Sequence, residues 1–351
     1  MAFEWQNFTR DKQHINLSEC AIGIMESDMN SFNETKVSAF LNRIFENYYE
    51  TADASISIRL EDEKEKLHSL LDNSFDKPTV QKVISLLTEN KKDELLTTTS
   101  TYKKGVGFKF RIRNDNFDYL EGPDCKENNY YPRLGEYYKA VIEEYSLKPY
   151  FERERIYYKS YSDIIEAAIK YGYQLKITLR TKNAFMISPY ALMTDSSKNY
   201  NYLVGYGKCI SGENIEDKKP FSFRLTNITS IKTYKTLNSC FRKEDKINLS
   251  KKKEIEAILS QRGVQFVFSD TSDIKIKLTP TGKKMYHSQK HLRPDFTRII
   301  DDDIYVFNCT ANQIEFYFFK FGKNAKIIEP AELSQKFEQM YKDAAETYLK
   351  N

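Results

Sequence analysis

The chain has 351 residues, enough for two or three domains. Lysine and arginine exceed aspartate and glutamate by only 54 − 50 = 4, so overall charge does not indicate a nucleic-acid surface, which would need local clusters of basic residues. Hydrophobic residues make up 40% of the chain, which predicts a globular protein with real cores. The 25 tyrosines exceed what such cores need, and we expect some to lie on surfaces where stacking is useful.

Several classes of protein are excluded at this level. The sequence has no apolar run resembling a signal peptide and no span of about 18 apolar residues that would cross a bilayer. Its five cysteines are scattered and form no C-x-x-C pair, so neither a disulfide framework nor a zinc cluster is indicated. We therefore expect a protein of the reducing cytoplasm, away from membranes, with no metal and no cofactor.

A strand and two helices are predicted at the start of the chain. Their bounds are Lys12–Leu17, Ser18–Met29 and Lys36 to about Tyr49. Alternation along the strand places His14 and Asn16 on the face opposite to the apolar Ile15 and Leu17. Strand, helix, turn and helix within about 40 residues is the outline of a ribbon-helix-helix unit, which normally pairs its strand with that of a second unit.

A second copy of this pattern follows in the same chain. It consists of a strand at Phe108–Arg113, a short helix from Asn114 and a longer helix that ends at Tyr145. Residues 37–48 and 134–145 align with their apolar positions coincident. We infer that the two halves pair within one chain, although pairing between two chains satisfies the pattern equally well. The first domain is thus residues 1–150, with a helical insertion at about 61–99.

The predicted ribbon presents a candidate nucleic-acid surface. Lys109, Arg111 and Arg113 share the outward face of the second strand, next to His14 and Asn16 on the first. In a ribbon lying in a groove, these side chains would meet phosphates and base edges. The alternative is that lysine and arginine on an exposed strand only discourage edge-to-edge pairing.

Residues 151–240 are predicted to form a small β domain. A solvated linker is predicted at Tyr145–Tyr158, where the charged run Glu152–Arg155 lies. One helix then precedes a series of short strands. The predicted strands are Tyr173–Leu179, Phe185–Leu192, Tyr200–Tyr206, Phe221–Leu225 and Ile228–Tyr234. Several short strands after a single helix favour a small barrel.

Three motifs follow each other in this segment. They are Ser188-Pro189-Tyr190-Ala191-Leu192, Asn201-Tyr202-Leu203-Val204-Gly205-Tyr206, and Phe223-Arg224-Leu225 followed by Ile228. Together they resemble the WYL domain of bacterial regulators of transcription and phage defence. The resemblance implies an SH3-like β-barrel with a basic pocket for nucleic acid or a nucleotide, in which Tyr202 and Arg224 line the site. It also implies three further wall residues: Ser188, Tyr190 and Tyr206.

The sequence departs from the WYL pattern in three respects that bear on this pocket. Asn201 stands where the family has tryptophan, and Asn227 stands where its fuller motif has a second basic residue. The basic residue often found a few positions before the proline is absent, with Ala184 and Phe185 in that region. The pocket is therefore expected to be less cationic than in the family, and Lys176 and Arg180 are candidates to compensate. The plainer interpretation is that the tyrosines are ordinary strand residues and that Arg224 pairs with a nearby acid.

Residues 241–351 are predicted to form a third, α/β domain. The tail Phe321–Leu333 resembles the C-terminal extension that accompanies WYL domains and is associated with oligomerisation, so a homodimer is expected. A strand is predicted at Gln265–Phe268. His287 and His291 lack a third metal ligand nearby, and Asp301–Asp303 reads as an acidic turn. No nucleotide-binding loop or nucleophile motif is present, so we expect no catalytic residues and no enzyme activity.

The three predicted domains together indicate an α+β multidomain protein that binds nucleic acid. A ribbon-helix-helix module followed by a WYL domain resembles the accessory proteins of type VI-D CRISPR systems, which associate with an RNA-guided RNase effector and stimulate it. In this interpretation the ligand is single-stranded RNA, gripped by Arg224 and stacked on tyrosines. The alternative is a repressor whose ribbon reads operator DNA while the WYL pocket senses a nucleotide or oligonucleotide.

Overall fold

The chain folds into two compact units, Met1–Lys159 and Ser160–Asn351. A computed structural model describes residues 13–71, 76–98, 105–131, 133–195, 199–211, 218–234, 247–267 and 272–349. Among these residues, no helix combines the length and the apolar character that crossing a bilayer requires. The finer division into three domains stays a prediction.

The N-terminal unit contains two strands and six helices within its described residues. They are β1 (Gln13–Ser18), α1 (Glu19–Phe32), α2 (Val37–Leu71), α3 (Lys77–Thr98), β2 (Gly105–Phe110), α4 (Asn114–Glu121), α5 (Leu134–Ser146) and α6 (Tyr150–Tyr157). β1 and β2 pair in an antiparallel two-stranded ribbon, and α2 packs against α5. Strand, helix and helix thus occur twice, and the strands of the two halves join within one chain.

The apolar face of the ribbon packs on aromatic side chains from α2 and α5. Phe110 lies with its ring centroid 5.0 Å from that of Tyr138, which stacks on Phe45 at 4.3 Å. At the end of β1, the Ser18 backbone N–H and hydroxyl donate to the two carboxylate oxygens of Glu143, at 2.6 and 2.7 Å. The alternation of apolar residues in β1 therefore decides which face of the ribbon is left to solvent.

α2 continues 22 residues beyond the predicted end at Tyr49, to Leu71. No proline or glycine interrupts residues 37–71, so nothing in the local sequence stops the helix. The predicted insertion at 61–99 is accordingly made by the end of α2 together with α3, which packs against it.

The predicted linker at Tyr145–Tyr158 is wrong, because its charged run Glu152–Arg155 belongs to α6. Arg153 is buried and forms an ion pair with Asp28, whose carboxylate is fully buried, with Nε 2.6 Å from Oδ2. The Tyr145 hydroxyl donates to the same oxygen at 2.7 Å. A charged run is usually solvated, but here a buried acid on α1 provides the partner that burial of an arginine requires.

The second unit begins in the first turn of α7 (Lys159–Tyr171), which is followed by a five-stranded antiparallel sheet. Its strands are β3 (Gln174–Leu179), β4 (Ala184–Thr194), β5 (Asn201–Cys209), β6 (Lys219–Arg224) and β7 (Ile228–Tyr234), in the order β6-β5-β4-β3-β7. β6 and β7 lie at opposite edges, and the described strands do not close into the predicted barrel. The edge strands β6 and β7 are joined by the segment from Arg224 to Ile228, whose four peptide steps span at most about 15 Å. In a flat sheet of five strands the two edge strands would be about 19 Å apart, so the sheet must curl to bring them within reach of this connection.

The remaining elements form a second, four-stranded antiparallel sheet with helices. They are β8 (Ser272–Leu278), α9 (Pro280–Ser288), β9 (Phe296–Ile300), β10 (Ile304–Cys309), α10 (Ala311–Phe318), β11 (Ala325–Glu329) and α11 (Ala331–Leu349). Before them in the chain comes α8 (Leu249–Arg262), which packs on the five-stranded sheet. The strand order is β11-β8-β10-β9. The strand predicted at Gln265–Phe268 is wrong, since a 3-10 turn spans Val264–Phe266 and Phe268 lies outside the described residues.

Two buried tyrosines in this second core predict a loss of stability at high pH. Burial raises the pKa of both Tyr286 and Tyr317 to about 12, from the ordinary value of 10.0. Because the folded pKa is the higher one, the stabilisation is complete below pH 10 and is lost as the pH rises from 10 to 12. Thermal unfolding measured across that range, with tyrosinate absorbance as the reporter, tests this. The double variant Tyr286→Phe/Tyr317→Phe cannot ionise there and should show a shallower decline.

Candidate nucleic-acid interface

The predicted WYL pocket is partly filled by the chain itself. Alternation along β5 places Tyr202, Val204 and Tyr206 on one face of the sheet. α8 packs on this face through Ile255, which is fully buried with Val204, and both tyrosines pack against that cluster. Tyr202 is therefore a half-buried packing residue beneath α8.

Arg224 lies directly opposite Tyr202 in the pairing of β6 with β5. Its guanidinium carbon is 3.5 Å from the centroid of the Tyr200 ring, which is a close cation–π contact. The sequence predicted either an anion-binding arginine or one paired with an acid, and the structure adds a contact with an aromatic ring to these two predictions. The guanidinium lies over the Tyr200 ring, and Arg224 as a residue is half-buried.

Two of the predicted wall residues, Ser188 and Tyr206, line a cavity of about 270 Å³ on the same sheet face. Its walls are Gln174, Met186, Ser188, Tyr206, Gly207, Lys208, Lys218, Tyr234 and Lys251. Ser188 and Tyr206 are directly opposite each other in β4 and β5, and Lys251 Nζ lies 5.1 Å from the Tyr206 ring centroid. Lysines and tyrosines around one cavity are suited to a phosphate and a stacked base.

Tyr190 belongs to a neighbouring cavity of about 360 Å³, which also reaches Ser188. That cavity adds two more aromatic side chains, Tyr171 and Tyr173, at the end of α7. The Tyr190 hydroxyl donates to Glu256 of α8 at 3.0 Å. Desolvation and this carboxylate raise the pKa of Tyr190 above its ordinary value, so its hydroxyl remains a donor.

The two compensating basic residues lie apart from each other. Lys176 is exposed on β3, directly opposite Met186, and so shares the face of the 270 Å³ cavity. Arg180 follows the end of β3, where its backbone N–H donates to the Asn227 carbonyl at 2.9 Å. The structure thus brings Ser188, Tyr206 and Lys176 to one face, with Arg180 at the end of a strand.

The sequence interpretation missed Tyr234, Lys208, Lys218 and Lys251. The period of two in β5 places Lys208 on the face of Tyr206, and this signal was available. No such signal indicated that Tyr234 of β7 lines the cavity. Its position depends on the pairing of β7 with β3, and β7 does not pair with β6, its neighbour in sequence.

On the ribbon, the outward face carries fewer basic residues than predicted. β2 ends at Phe110, so Arg111 and Arg113 follow the strand and do not lie on it. His14 and Lys109 are directly opposite each other, and Asn16 is opposite Gly107, with all three side chains exposed.

A buried asparagine holds the segment after the ribbon. Asn42 donates from Nδ2 to the Arg111 carbonyl at 2.9 Å and accepts the Arg113 backbone N–H at 2.7 Å. The Arg113 guanidinium pairs with Glu46 at 2.9 Å and with Asp115 at 3.4 Å. Its charge is thus largely compensated, which weakens it as a phosphate ligand. Among the described residues, no cluster of histidine, cysteine or acidic side chains is arranged to hold a metal ion.

Comparison with known proteins identifies the fold. The sequence matches no protein-family profile and no curated protein. A solved structure of a CRISPR Cas-related protein matches 98% of this chain and 96% of its own, with a TM-score of 0.72 and 22% identity. Proteasome accessory factor B/C of Arthrobacter aurescens matches 58% of this chain and 30% of its own, at 15% identity and a TM-score of 0.28, too low to support an argument. The chain therefore shares its fold, over nearly its whole length, with a CRISPR Cas-related protein.

Proposed function

We propose that this protein is a non-enzymatic accessory protein of a CRISPR system that binds single-stranded RNA on its five-stranded sheet and stimulates an RNA-guided RNase. The observation that carries the proposal is the 270 Å³ cavity lined by Tyr206, Tyr234 and three lysines. Aromatic rings next to ammonium groups fit a chain of stacked bases and phosphates, and they require no particular base sequence. The fold shared with a CRISPR Cas-related protein supports the biological setting.

Tyr234→Ala tests the stacking part of this proposal. Tyr234 is 46% exposed at the end of β7, so its removal should leave the fold intact. A stacked base is worth about 1–3 kcal/mol, and we expect the affinity for single-stranded RNA to fall by about 5- to 150-fold. Fluorescence anisotropy with a labelled oligouridylate, at two salt concentrations, measures the change.

A matched control is available on α11. Tyr348 is 83% exposed and lies on the last helix, so Tyr348→Ala should bind RNA as the wild type does. Equal affinities of wild type, Tyr234→Ala and Tyr348→Ala would remove the cavity from the proposal. Stimulation is measured separately, as the rate at which a type VI-D RNase effector cleaves a fluorogenic RNA with and without the full chain.

The second candidate is a repressor that reads duplex DNA through the ribbon. The observation that favours it is the antiparallel pairing of β1 with β2, which leaves His14, Asn16 and Lys109 exposed on one face. Only this candidate predicts that Lys109→Ala abolishes sequence-specific duplex binding while Tyr234→Ala has no effect. The same anisotropy assay with operator-length duplex DNA and with single-stranded DNA separates the two candidates.

A further inference from the structure

A row of lysines crosses the five-stranded sheet. Lys232 of β7 is directly opposite Lys176 of β3, Lys176 is directly opposite Met186 of β4, and Met186 is directly opposite Lys208 of β5. Residues directly opposite each other in antiparallel strands point to the same face. Three gaps of about 4.8 Å separate the first lysine from the last, so the row is about 14 Å long.

This arrangement is unfavourable for the isolated fold. Like charges directly opposite each other, as at Lys176 and Lys232, destabilise a sheet. Within the described residues, no carboxylate forms an ion pair with Lys176, Lys208 or Lys232 to offset the repulsion. Lysines commonly protect the edges of sheets, but β3 and β5 are interior strands, so edge protection does not explain Lys176 or Lys208.

A second row runs parallel to the first, two residues along each strand. It consists of Tyr234, Gln174, Ser188 and Tyr206, which follow one another across β7, β3, β4 and β5. Two residues along a strand correspond to about 6.6 Å. The 270 Å³ cavity is lined by all four residues of this second row, and Met186 and Lys208 of the lysine row also line it. The cavity therefore joins the aromatic row to the Lys208 end of the lysine row.

We propose that the lysine row, Lys232–Lys176–Lys208, is the phosphate track for single-stranded RNA, which runs across the strands with its bases directed toward Tyr234 and Tyr206. This inference rests on the proposed function and specifies where the sugar-phosphate backbone lies. A single strand exposes both its phosphates and the faces of its bases, so it can use both rows at once. In a duplex the bases are stacked inside, and the aromatic row has no partner.

Removal of the three charges tests the track. We compare the full-length triple variant Lys176→Gln/Lys208→Gln/Lys232→Gln with a control, Lys284→Gln/Lys290→Gln/Lys326→Gln. The control removes the same charge from exposed positions of the second unit outside the five-stranded sheet. The affinity for labelled oligouridylate is measured against salt concentration. Each phosphate contact to a single strand makes the slope of log K against log salt more negative by about 0.7. The slope of the row variant, which lacks three contacts, should therefore be less negative than that of the wild type by about 2.

The affinity of the row variant should also fall by at least about tenfold at moderate salt, while the control keeps the wild-type affinity and slope. Thermal unfolding checks the fold, and the row variant should be as stable as the wild type or slightly more stable, since repulsion is relieved. Unchanged slopes in both variants, with tight RNA binding, would overturn the track and leave the proposed function standing. If the wild type does not bind RNA, both the track and the proposed function are overturned. If the row variant loses affinity only for a labelled single-stranded DNA, RNA is overturned as the ligand.

Discussion

Asp28→Asn is expected to destabilise the N-terminal unit by about 3–5 kcal/mol, because it leaves the guanidinium of Arg153 buried without its counter-charge. The Asp28 carboxylate is fully buried and accepts two hydrogen bonds from Arg153, at 2.6 and 3.0 Å. It also accepts the hydroxyl of Tyr145. Denaturant unfolding of the full chain, with hydrogen exchange in α1 and α6 to assign the transition, measures the loss.

An exposed carboxylate provides the control. Asp115 lies 3.4 Å from Arg113 and its side chain is 75% exposed, so Asp115→Asn should change stability by about 1 kcal/mol or less. The double variant Asp28→Asn/Arg153→Met removes the orphaned charge and should recover part of the stability that Asp28→Asn loses. If Asp28→Asn and Asp115→Asn unfold alike, the buried pair does not stabilise the unit as described.

This ion pair marks the limit of what local sequence predicts. The five strands of the middle sheet were predicted with their ends within three residues of those observed, because short apolar and aromatic runs are separated there by turn residues. The charged run at Glu152–Arg155 has the same local appearance whether it is solvated or buried. The burial of Arg153 is decided by Asp28, which lies 125 residues away from it in the sequence, and no local pattern specifies that contact.

At the candidate site, too, local sequence predicted some features, and others depend on contacts between residues far apart in the chain. Alternation along β5 correctly put Tyr202 and Tyr206 on one face, but it does not say what covers that face. α8 covers part of it, so Tyr202 packs against a helix while Tyr206 also lines a cavity. The lysine row depends on the pairing of β7 with β3, which connects residues far apart in sequence. The period of two predicts which side chains share one face of a strand. The register between strands and the helix that covers a face are properties of the folded chain.

Gly207→Ala is expected to disrupt the pairing of β4 with β5 and to weaken RNA binding together with stability. A Cβ atom at this position would collide with the Met186 carbonyl oxygen and lie 2.9 Å from the Ile187 Cα. Both are backbone atoms of β4, so no side-chain rotation relieves the contact and the strands must separate. Such overpacking costs about 1–3 kcal/mol or more. Because Gly207 lines the cavity between Tyr206 and Lys208, the same movement displaces both binding side chains.

Gly23→Ala separates this steric effect from the general effect of replacing glycine. Gly23 lies inside α1, and a methyl group there would meet no atom within 4 Å beyond the backbone of its own helix, so alanine should stabilise the helix by about 0.5–1 kcal/mol. Thermal unfolding and anisotropy with oligouridylate, measured on both variants, give the comparison. A Gly207→Ala protein that unfolds at the wild-type temperature and binds RNA normally would show that β4 and β5 tolerate a side chain there. The 270 Å³ cavity would then not depend on the close approach of these strands.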